Sequence, residues 1–144
     1  MAVATATFTP AASSHAAGDC NGAAAQFEFQ AVGATMVITD ADLMIDGGTA
    51  EATAWRLYLY KVTPASAYAD DAAWDLPSGD RDAFVGYIDL GTAVDLGSTQ
   101  WVQNAGVNRT VKLGGSSLWG YLVNLTTLTP AAVAHRVRLT GTPL

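Results

Sequence analysis

The clearest strand pattern of the chain lies in residues 53–62, Thr-Ala-Trp-Arg-Leu-Tyr-Leu-Tyr-Lys-Val. Every second residue from Trp55 to Leu59 is apolar, whereas Arg56 and Tyr58 lie between them. Successive side chains of a β-strand point to opposite faces of a sheet. The alternation therefore predicts a strand with one apolar face and one mixed face.

The same alternation recurs along most of the chain, with turn residues about every 8–12 residues and no sustained helical period. This pattern predicts an all-β chain that folds as an antiparallel β-sandwich or a barrel. A jelly roll with two sheets of about four strands fits the count best. The expected strands lie in residues 26–30, 35–39, 43–45, 53–62, 84–90, 99–103, 109–113, 118–125 and 133–140.

Two segments depart from this pattern. Residues 1–25 are rich in small side chains and poor in large apolar ones. We therefore expect an extended N-terminal arm, with an edge strand over residues 3–9, before a β-sandwich domain over residues 26–144. Residues 63–82 lack strand character and form an insertion loop, in which residues 70–74 are expected to hold a short helical turn.

The composition excludes several classes of protein. A chain of 144 residues most simply forms one domain. Basic residues are few and the net charge is −6, which argues against a nucleic-acid partner. No stretch has the roughly 18 apolar residues of a membrane span and the first residues lack a basic signal region, so no membrane partner or export is expected. A single cysteine excludes an intrachain disulfide framework and fits a reducing cytosol.

Charge is scarce and unevenly distributed. Charged residues make up 14% of the chain, against roughly 25% in ordinary soluble domains, which indicates that a partner covers part of the surface. Residues 1–55 contain no basic residue, and residues 101–144 contain no acidic residue. Either folding mixes these charges into an ordinary surface, or the protein has an acidic end and a basic end that meet other copies or an acidic support.

Residues that carry catalysis or bind metals are few. Two histidines, His15 and His135, and one cysteine, Cys20, match neither a catalytic triad nor a transition-metal site in spacing. His135 lies on the apolar face of a strand, which favours a position in a core or an interface. We therefore expect no enzymatic activity, metal centre or cofactor, and keep calcium binding by two Asp clusters as the less favoured alternative. These clusters are Asp40, Asp42 and Asp46, and Asp75, Asp80 and Asp82.

The aromatic residues leave a further alternative open. Exposed Trp and Tyr side chains provide flat apolar platforms for sugars, whereas buried ones fill a core or a subunit interface. Their alternation within strands favours a core or an interface. Trp74 is expected to be the most exposed, because it lies in the insertion loop. The residues concerned are Trp55, Trp74, Trp101, Trp119, Tyr58, Tyr60 and Tyr87.

Several segments resemble the small structural proteins of tailed bacteriophages. The likeness spans residues 55–139 and consists of strand and turn patterns rather than chemical signatures. Its segments are residues 56–60 (Arg-Leu-Tyr-Leu-Tyr), 72–80 (Ala-Ala-Trp-Asp-Leu-Pro-Ser-Gly-Asp), 84–88 (Phe-Val-Gly-Tyr-Ile), 118–123 (Leu-Trp-Gly-Tyr-Leu-Val) and 129–135 (Thr-Pro-Ala-Ala-Val-Ala-His).

The resemblance implies a capsid decoration, or cement, protein that binds the head surface as an oligomer and stabilises the shell. It further implies a homotrimer that binds the major capsid protein on the surface of the virion, after assembly in the host cytoplasm. A receptor- or carbohydrate-binding spike domain and a minor tail component are the alternatives. On this hypothesis, aromatic residues supply packing contacts at interfaces and arginines supply charge complementarity. The candidates are Phe8, Phe27, Phe29, Tyr58, Trp74, Arg136 and Arg138.

Overall fold

The chain folds into two packed antiparallel sheets in a computed structural model that describes residues 1–30 and 33–144. Within these residues there is one short 3₁₀-helix, Ser78–Asp80, and no helix long and apolar enough to cross a lipid bilayer. The strands are β1 (Ala2–Phe8), β2 (Ala25–Glu28), β3 (Thr35–Ile45), β4 (Ala54–Tyr60), β5 (Phe84–Thr92), β6 (Val94–Asp95), β7 (Gln100–Asn104), β8 (Arg109–Lys112), β9 (Ser117–Asn124) and β10 (His135–Pro143).

The larger sheet has the strand order β1-β10-β3-β7-β6, with β8 also paired to β3, and the smaller sheet has the order β2-β9-β4-β5. All of these pairings are antiparallel. The chain crosses between the sheets after β1, β2, β3, β5, β8 and β9. The predicted all-β antiparallel sandwich is confirmed. The jelly-roll arrangement stays a prediction, and these crossings between the sheets are compatible with it.

The core lies between the two sheets and follows the alternation of the sequence. On β4, Trp55, Leu57 and Leu59 are at most 1% exposed. On the larger sheet, Leu43 and Val137 are equally buried and belong to the same apolar cluster. Removal of this apolar surface from water stabilises the fold by roughly 25 cal/mol per Å².

One long strand replaces two of the predicted strands. Residues 35–39 and 43–45 belong to the single strand β3, although Asp40 and Asp42 between them are typical of a turn. β3 pairs with β10 on one side and with β7 and β8 on the other. Pairing on both sides outweighs the low strand propensity of aspartate, and Asp42 is further held by a hydrogen bond from Arg138.

Residues 1–25, predicted to form an extended arm, are instead part of the sandwich. The expected edge strand is present as β1, which pairs with β10 along its whole length. Its Ala4, Ala6 and Phe8 are buried in the core. Beyond β1, the segment returns to the smaller sheet, where Cys20 forms an isolated bridge to β9. Small side chains let this segment lie close to the sheets, so its composition alone does not indicate an arm.

Residues 61–83, here called the insertion segment, connect β4 to β5 and pack on the outer face of the smaller sheet. The helical turn expected at residues 70–74 does not form there, since Asp71 has a φ of 69°. Instead of a helical turn, hydrogen bonds to carboxylates hold the segment in place. Asp80 accepts hydrogen bonds from two backbone N–H groups near the start of the segment, at 2.9 and 3.2 Å, and so joins the two ends of the segment.

Candidate functional site

The centre of the outer face of the smaller sheet is covered by the chain itself. Its central side chains, Tyr60 and Tyr121, are at most 1% exposed and pack against the insertion segment. The Tyr121 hydroxyl donates to the Ser66 carbonyl oxygen at 2.6 Å, and Trp74 Nε1 donates to the Tyr60 hydroxyl at 2.9 Å. Burial raises the pKa of both tyrosine hydroxyls, so both stay protonated near neutral pH.

Tyr58 and Trp74, two predicted interface residues, contact each other at the rim of this cluster. Their rings stack with centroids 3.5 Å apart and an interplanar angle of 6°. Both residues are half-buried, so Trp74 is less exposed than expected. One face of each ring is occupied within the chain, which removes part of the platform that a sugar ring needs. Tyr87 is 48% exposed, with the Arg56 guanidinium 4.3 Å from its ring centroid.

The outer face of the larger sheet, here called the open face, is largely exposed. It consists of the outward side chains of β1, β10, β3, β7 and β6, which form cross-strand rows. Met44 is 40% exposed and Val94 is 59% exposed, while Trp101 is half-buried. One row contains Thr7, Arg136, Met44, Trp101 and Val94, and the next contains Thr5, Arg138, Asp42 and Gln103.

The two arginines expected to supply charge complementarity lie on the open face and are already paired within the chain. Arg136 Nη2 lies 2.5 Å from Asp46 Oδ2, and Arg138 Nε donates to Asp42 Oδ2 at 2.9 Å. These pairs join the basic C-terminal region to the acidic N-terminal region, which favours a mixed surface over two charged ends. Both arginine side chains remain about half exposed. Asp46 is exposed as well, and an exposed ion pair contributes at most about 1 kcal/mol, so Arg136 can exchange its carboxylate at small cost. Asp42 is only 8% exposed, so Arg138 cannot leave it without stranding a buried carboxylate.

Phe8, Phe27 and Phe29, which were predicted as interface residues, lie in the core instead. They are 1%, 0% and 5% exposed, and the rings of Phe8 and Phe27 are 6.4 Å apart between centroids. Alternation marks an apolar face, and that signal is the same for a core and for an interface. On the outward positions of the open face, the sequence pattern does not reveal the exposed apolar residues Val3, Met44 and Val94.

Both histidines are fully buried, and each uses both ring nitrogens within the chain. His15 Nδ1 lies 2.8 Å from the Ser13 carbonyl oxygen, and its Nε2 lies 2.9 Å from Asp70 Oδ1. His135 repeats this arrangement with a carbonyl two residues earlier and with Glu51, at 2.8 and 2.7 Å. Neither ring has a free nitrogen with which to accept a proton from a nucleophile. His135 was expected in a core or an interface, and its full burial within the chain shows the first of these.

The pair formed by His15 and Asp70 is stabilised in its ionic form. Burial alone lowers the pKa of His15, but hydrogen bonds to Asp70 and to the Ser13 carbonyl raise it above its ordinary value of 6.5. Burial also opposes ionisation of Asp70, but hydrogen bonds from the Gly22 N–H, from His15 and from the Ala11 N–H hold its pKa below 3.8. The carboxylate therefore ties the N-terminal segment to the insertion segment.

Cys20 and the acidic clusters have structural surroundings. Cys20 is fully buried, and burial raises the pKa of its thiol to about 12, so the thiol is not nucleophilic near neutral pH. Within residues 1–30 and 33–144, no group of three or more His, Cys, Asp or Glu side chains is placed to hold a metal ion. Of the residues considered for calcium, Asp42 and Asp46 accept hydrogen bonds from arginines and Asp80 accepts them from backbone N–H groups.

On the open face, apolar, aromatic and arginine side chains therefore meet without a covering segment in the described chain. Neither a comparison with protein-family models nor a comparison with curated proteins finds a match for this chain.

Proposed function

We propose that the chain is a decoration, or cement, protein of a bacteriophage head, which binds the capsid surface as an oligomer and stabilises the shell. The difference between the two sheets carries this proposal. The insertion segment covers the centre of the outer face of the smaller sheet and leaves Tyr87 exposed at its edge, whereas the open face of the larger sheet exposes Met44 and Val94 beside Trp101. Aromatic, methionine and arginine side chains are enriched where proteins bind each other.

The open face offers two kinds of contact to a capsid protein. Met44 lies between Arg136 on β10 and Trp101 on β7, so an apolar strip runs directly beside a guanidinium group. Burial of the strip supplies affinity at roughly 25 cal/mol per Å². The half-exposed arginines form directional hydrogen bonds with partner carboxylates, which set the orientation of the bound protein more than its affinity.

Hydrogen bonds to two carboxylates support this role, because they hold loops of the chain in place. Asp70 holds the N-terminal segment against the insertion segment, and Glu51 holds the Ala131 N–H and the His135 ring at 2.8 and 2.7 Å. A preorganised block loses little conformational entropy when it binds. Several such blocks joined in one oligomer reach neighbouring capsid subunits at high effective concentration.

Location and copy number test the proposal directly. Particles of the phage that encodes the chain are purified, and quantitative mass spectrometry and electron cryo-microscopy give the number and position of its copies. We expect many copies on the head surface, and we expect particles without the chain to release DNA at a lower temperature. A few copies at the tail, or none on the particle, contradict the proposal. Binding to a glycan array without binding to heads indicates the spike alternative.

Two matched substitutions test the open face as the docking surface. Met44→Asp places a charge in the apolar strip and is expected to weaken binding to heads that lack the chain by about tenfold or more, a cost of about 1.4 kcal/mol. Arg136 lies opposite residue 44 and compensates the new charge within the folded chain. Val62→Asp is the control, because Val62 is 45% exposed but belongs to the insertion segment. Equal binding by both variants contradicts docking through the open face.

A further inference from the structure

We infer that two copies of this chain pair through β1, in antiparallel orientation about a twofold axis near Thr5. β1 is seven residues long, Ala-Val-Ala-Thr-Ala-Thr-Phe, and contains neither a charge nor a proline. The strand order places it at the end of the larger sheet, where it pairs with β10 on one side. The inference is independent of the proposed function, because its test uses the chain alone.

The other side of β1 forms no hydrogen bond with the described residues, although β2 of the facing sheet lies close to β1. Within residues 1–30 and 33–144, the backbone hydrogen bonds formed outside the strand pairings do not involve residues 2–8. Alternate residues of an antiparallel strand direct their N–H and C=O groups to opposite sides, so about half of these groups point away from β10. A regular strand with such a row of groups is a template for another strand.

The other strands that end a sheet in the described chain are short or interrupted. On β5, the Val85 and Asp89 carbonyl oxygens accept hydrogen bonds from the side chains of Arg109 and Asn104, and its pairing with β4 shifts register twice. β2 and β8 have four residues each, and β6 has two. Proteins block edge-to-edge pairing by such devices, and β1 carries none of them.

The residues of β1 are complementary to a second copy of themselves. In an antiparallel pair centred on Thr5, this residue faces the Thr5 of the second copy, Val3 faces Thr7, and Ala4 faces Ala6. Pairs of threonine and of β-branched residues are favourable across strands. Ala4 and Ala6 are buried, whereas the other three are exposed, so each pair joins residues of the same face and the inner face stays apolar.

Charges near the edge do not oppose this pairing. Arg138 lies opposite Thr5 on β10, one strand away from the edge, and Asp42 neutralises it. With strands about 4.8 Å apart, the Arg138 residues of the two copies lie roughly 14 Å from each other. That separation exceeds the Debye length of about 8 Å at physiological ionic strength, so their repulsion is screened.

Opposite charges at Thr5 test the pairing, because a twofold axis brings each substituted residue next to its own copy. We expect Thr5→Lys alone to raise the dissociation constant of the dimer by about tenfold, and Thr5→Asp alone to raise it less, because Arg138 opposite residue 5 compensates the aspartate. An equimolar mixture of the two variants is expected to restore dimers, now mixed. Sedimentation equilibrium on chains with a C-terminal tag measures the masses. Gln103→Lys, an exposed position on β7 of the same face, is the control and is expected to dimerise like the unsubstituted chain.

Melting temperatures first establish that each variant is folded. A monomer at the highest soluble concentration overturns the inference, and so does a trimer, which the phage resemblance implies. A dimer whose mass neither Thr5 substitution affects also overturns it, because that dimer uses another surface. Amide hydrogen exchange should show protection of residues 2–8 that rises with concentration. If residues 2–8 are protected from exchange only when capsid protein is added, the edge of β1 pairs with a capsid strand, and self-pairing is overturned.

Discussion

Replacing Asp70 with asparagine is expected to loosen the N-terminal segment from the insertion segment. Asp70 Oδ1 accepts hydrogen bonds from His15 Nε2 at 2.9 Å and from the Gly22 N–H at 2.8 Å, and Oδ2 accepts one from the Ala11 N–H at 3.1 Å. An asparagine has no charge and keeps only one acceptor oxygen. Its NH₂ group faces at least one N–H group that Asp70 accepts a hydrogen bond from. Hydrogen bonds to charged groups contribute about 1.5–3 kcal/mol and neutral ones about 1 kcal/mol. We therefore expect the free energy of unfolding to fall by about 2 kcal/mol.

The size of this loss should depend on pH. The pKa of His15 is raised in the fold, so its contribution is complete below 6.5 and is lost as the pH rises through the raised value. The pKa of Asp70 is lowered, so its contribution is present above 3.8 and is lost as the pH falls through the lowered value. The stability gap between the unsubstituted chain and Asp70→Asn should therefore be widest between pH 3.8 and 6.5 and should narrow at alkaline pH.

Urea unfolding followed by tryptophan fluorescence, at about pH 5 and about pH 9, measures this gap. Asp71→Asn is the matched control, because it makes the same chemical change one residue away. The Asp71 side chain is 44% exposed and lies 4.0 Å from His15 Nδ1, and asparagine tolerates its φ of 69°. Equal destabilisation by the two substitutions, or a gap that is the same at both pH values, refutes the stabilising ion pair.

Three further substitutions or reactions probe other parts of the fold. Gly86→Ala is expected to lower stability by about 2 kcal/mol, because a φ of 116° strains any other residue and the added Cβ displaces the Arg109 guanidinium; an unchanged melting temperature contradicts this. Phe27→Ala is expected to cost about 3–5 kcal/mol in urea unfolding, as for a core aromatic residue, whereas a loss below about 1 kcal/mol would match an exposed interface residue. Cys20, with a pKa of about 12, is expected to react with thiol reagents only after unfolding, and rapid labelling of the folded chain would show that its loop opens.

Local alternation was sufficient to predict the strands and their buried faces, but not where a strand ends, because that depends on pairing with other strands. The pattern over residues 53–62 predicted β4 and the burial of its apolar face, and both are present. The same local reasoning divided β3 at Asp40 and Asp42. Only the pairing of β3 on both sides, with β10 and with β7 and β8, explains why the strand continues through them.

The candidate site could not be derived from local patterns, because exposure depends on which distant segments cover each face. Phe27 and Met44 both occupy apolar positions in strands, yet Phe27 is 0% and Met44 is 40% exposed. The difference arises because the inner faces pack on each other, while the open face meets no covering segment in the described chain. The anchor at Asp70 is likewise long-range, since His15 lies 55 residues before it, and neither residue is unusual in its local sequence.

Pairing through β1 gives the open face a property that a single copy lacks. A twofold axis perpendicular to the sheet keeps the open faces of both copies on the same side, so under the proposed function one dimer presents two docking surfaces to one shell. Binding of the second face is then intramolecular, and weak contacts at each face suffice. Each Thr5 variant alone should therefore bind heads more weakly than the unsubstituted chain, and their equimolar mixture should recover the affinity. Met44→Asp should bind heads weakly in any mixture, because its docking surface itself is altered. Recovery of binding in a mixture therefore separates loss of pairing from loss of the docking surface.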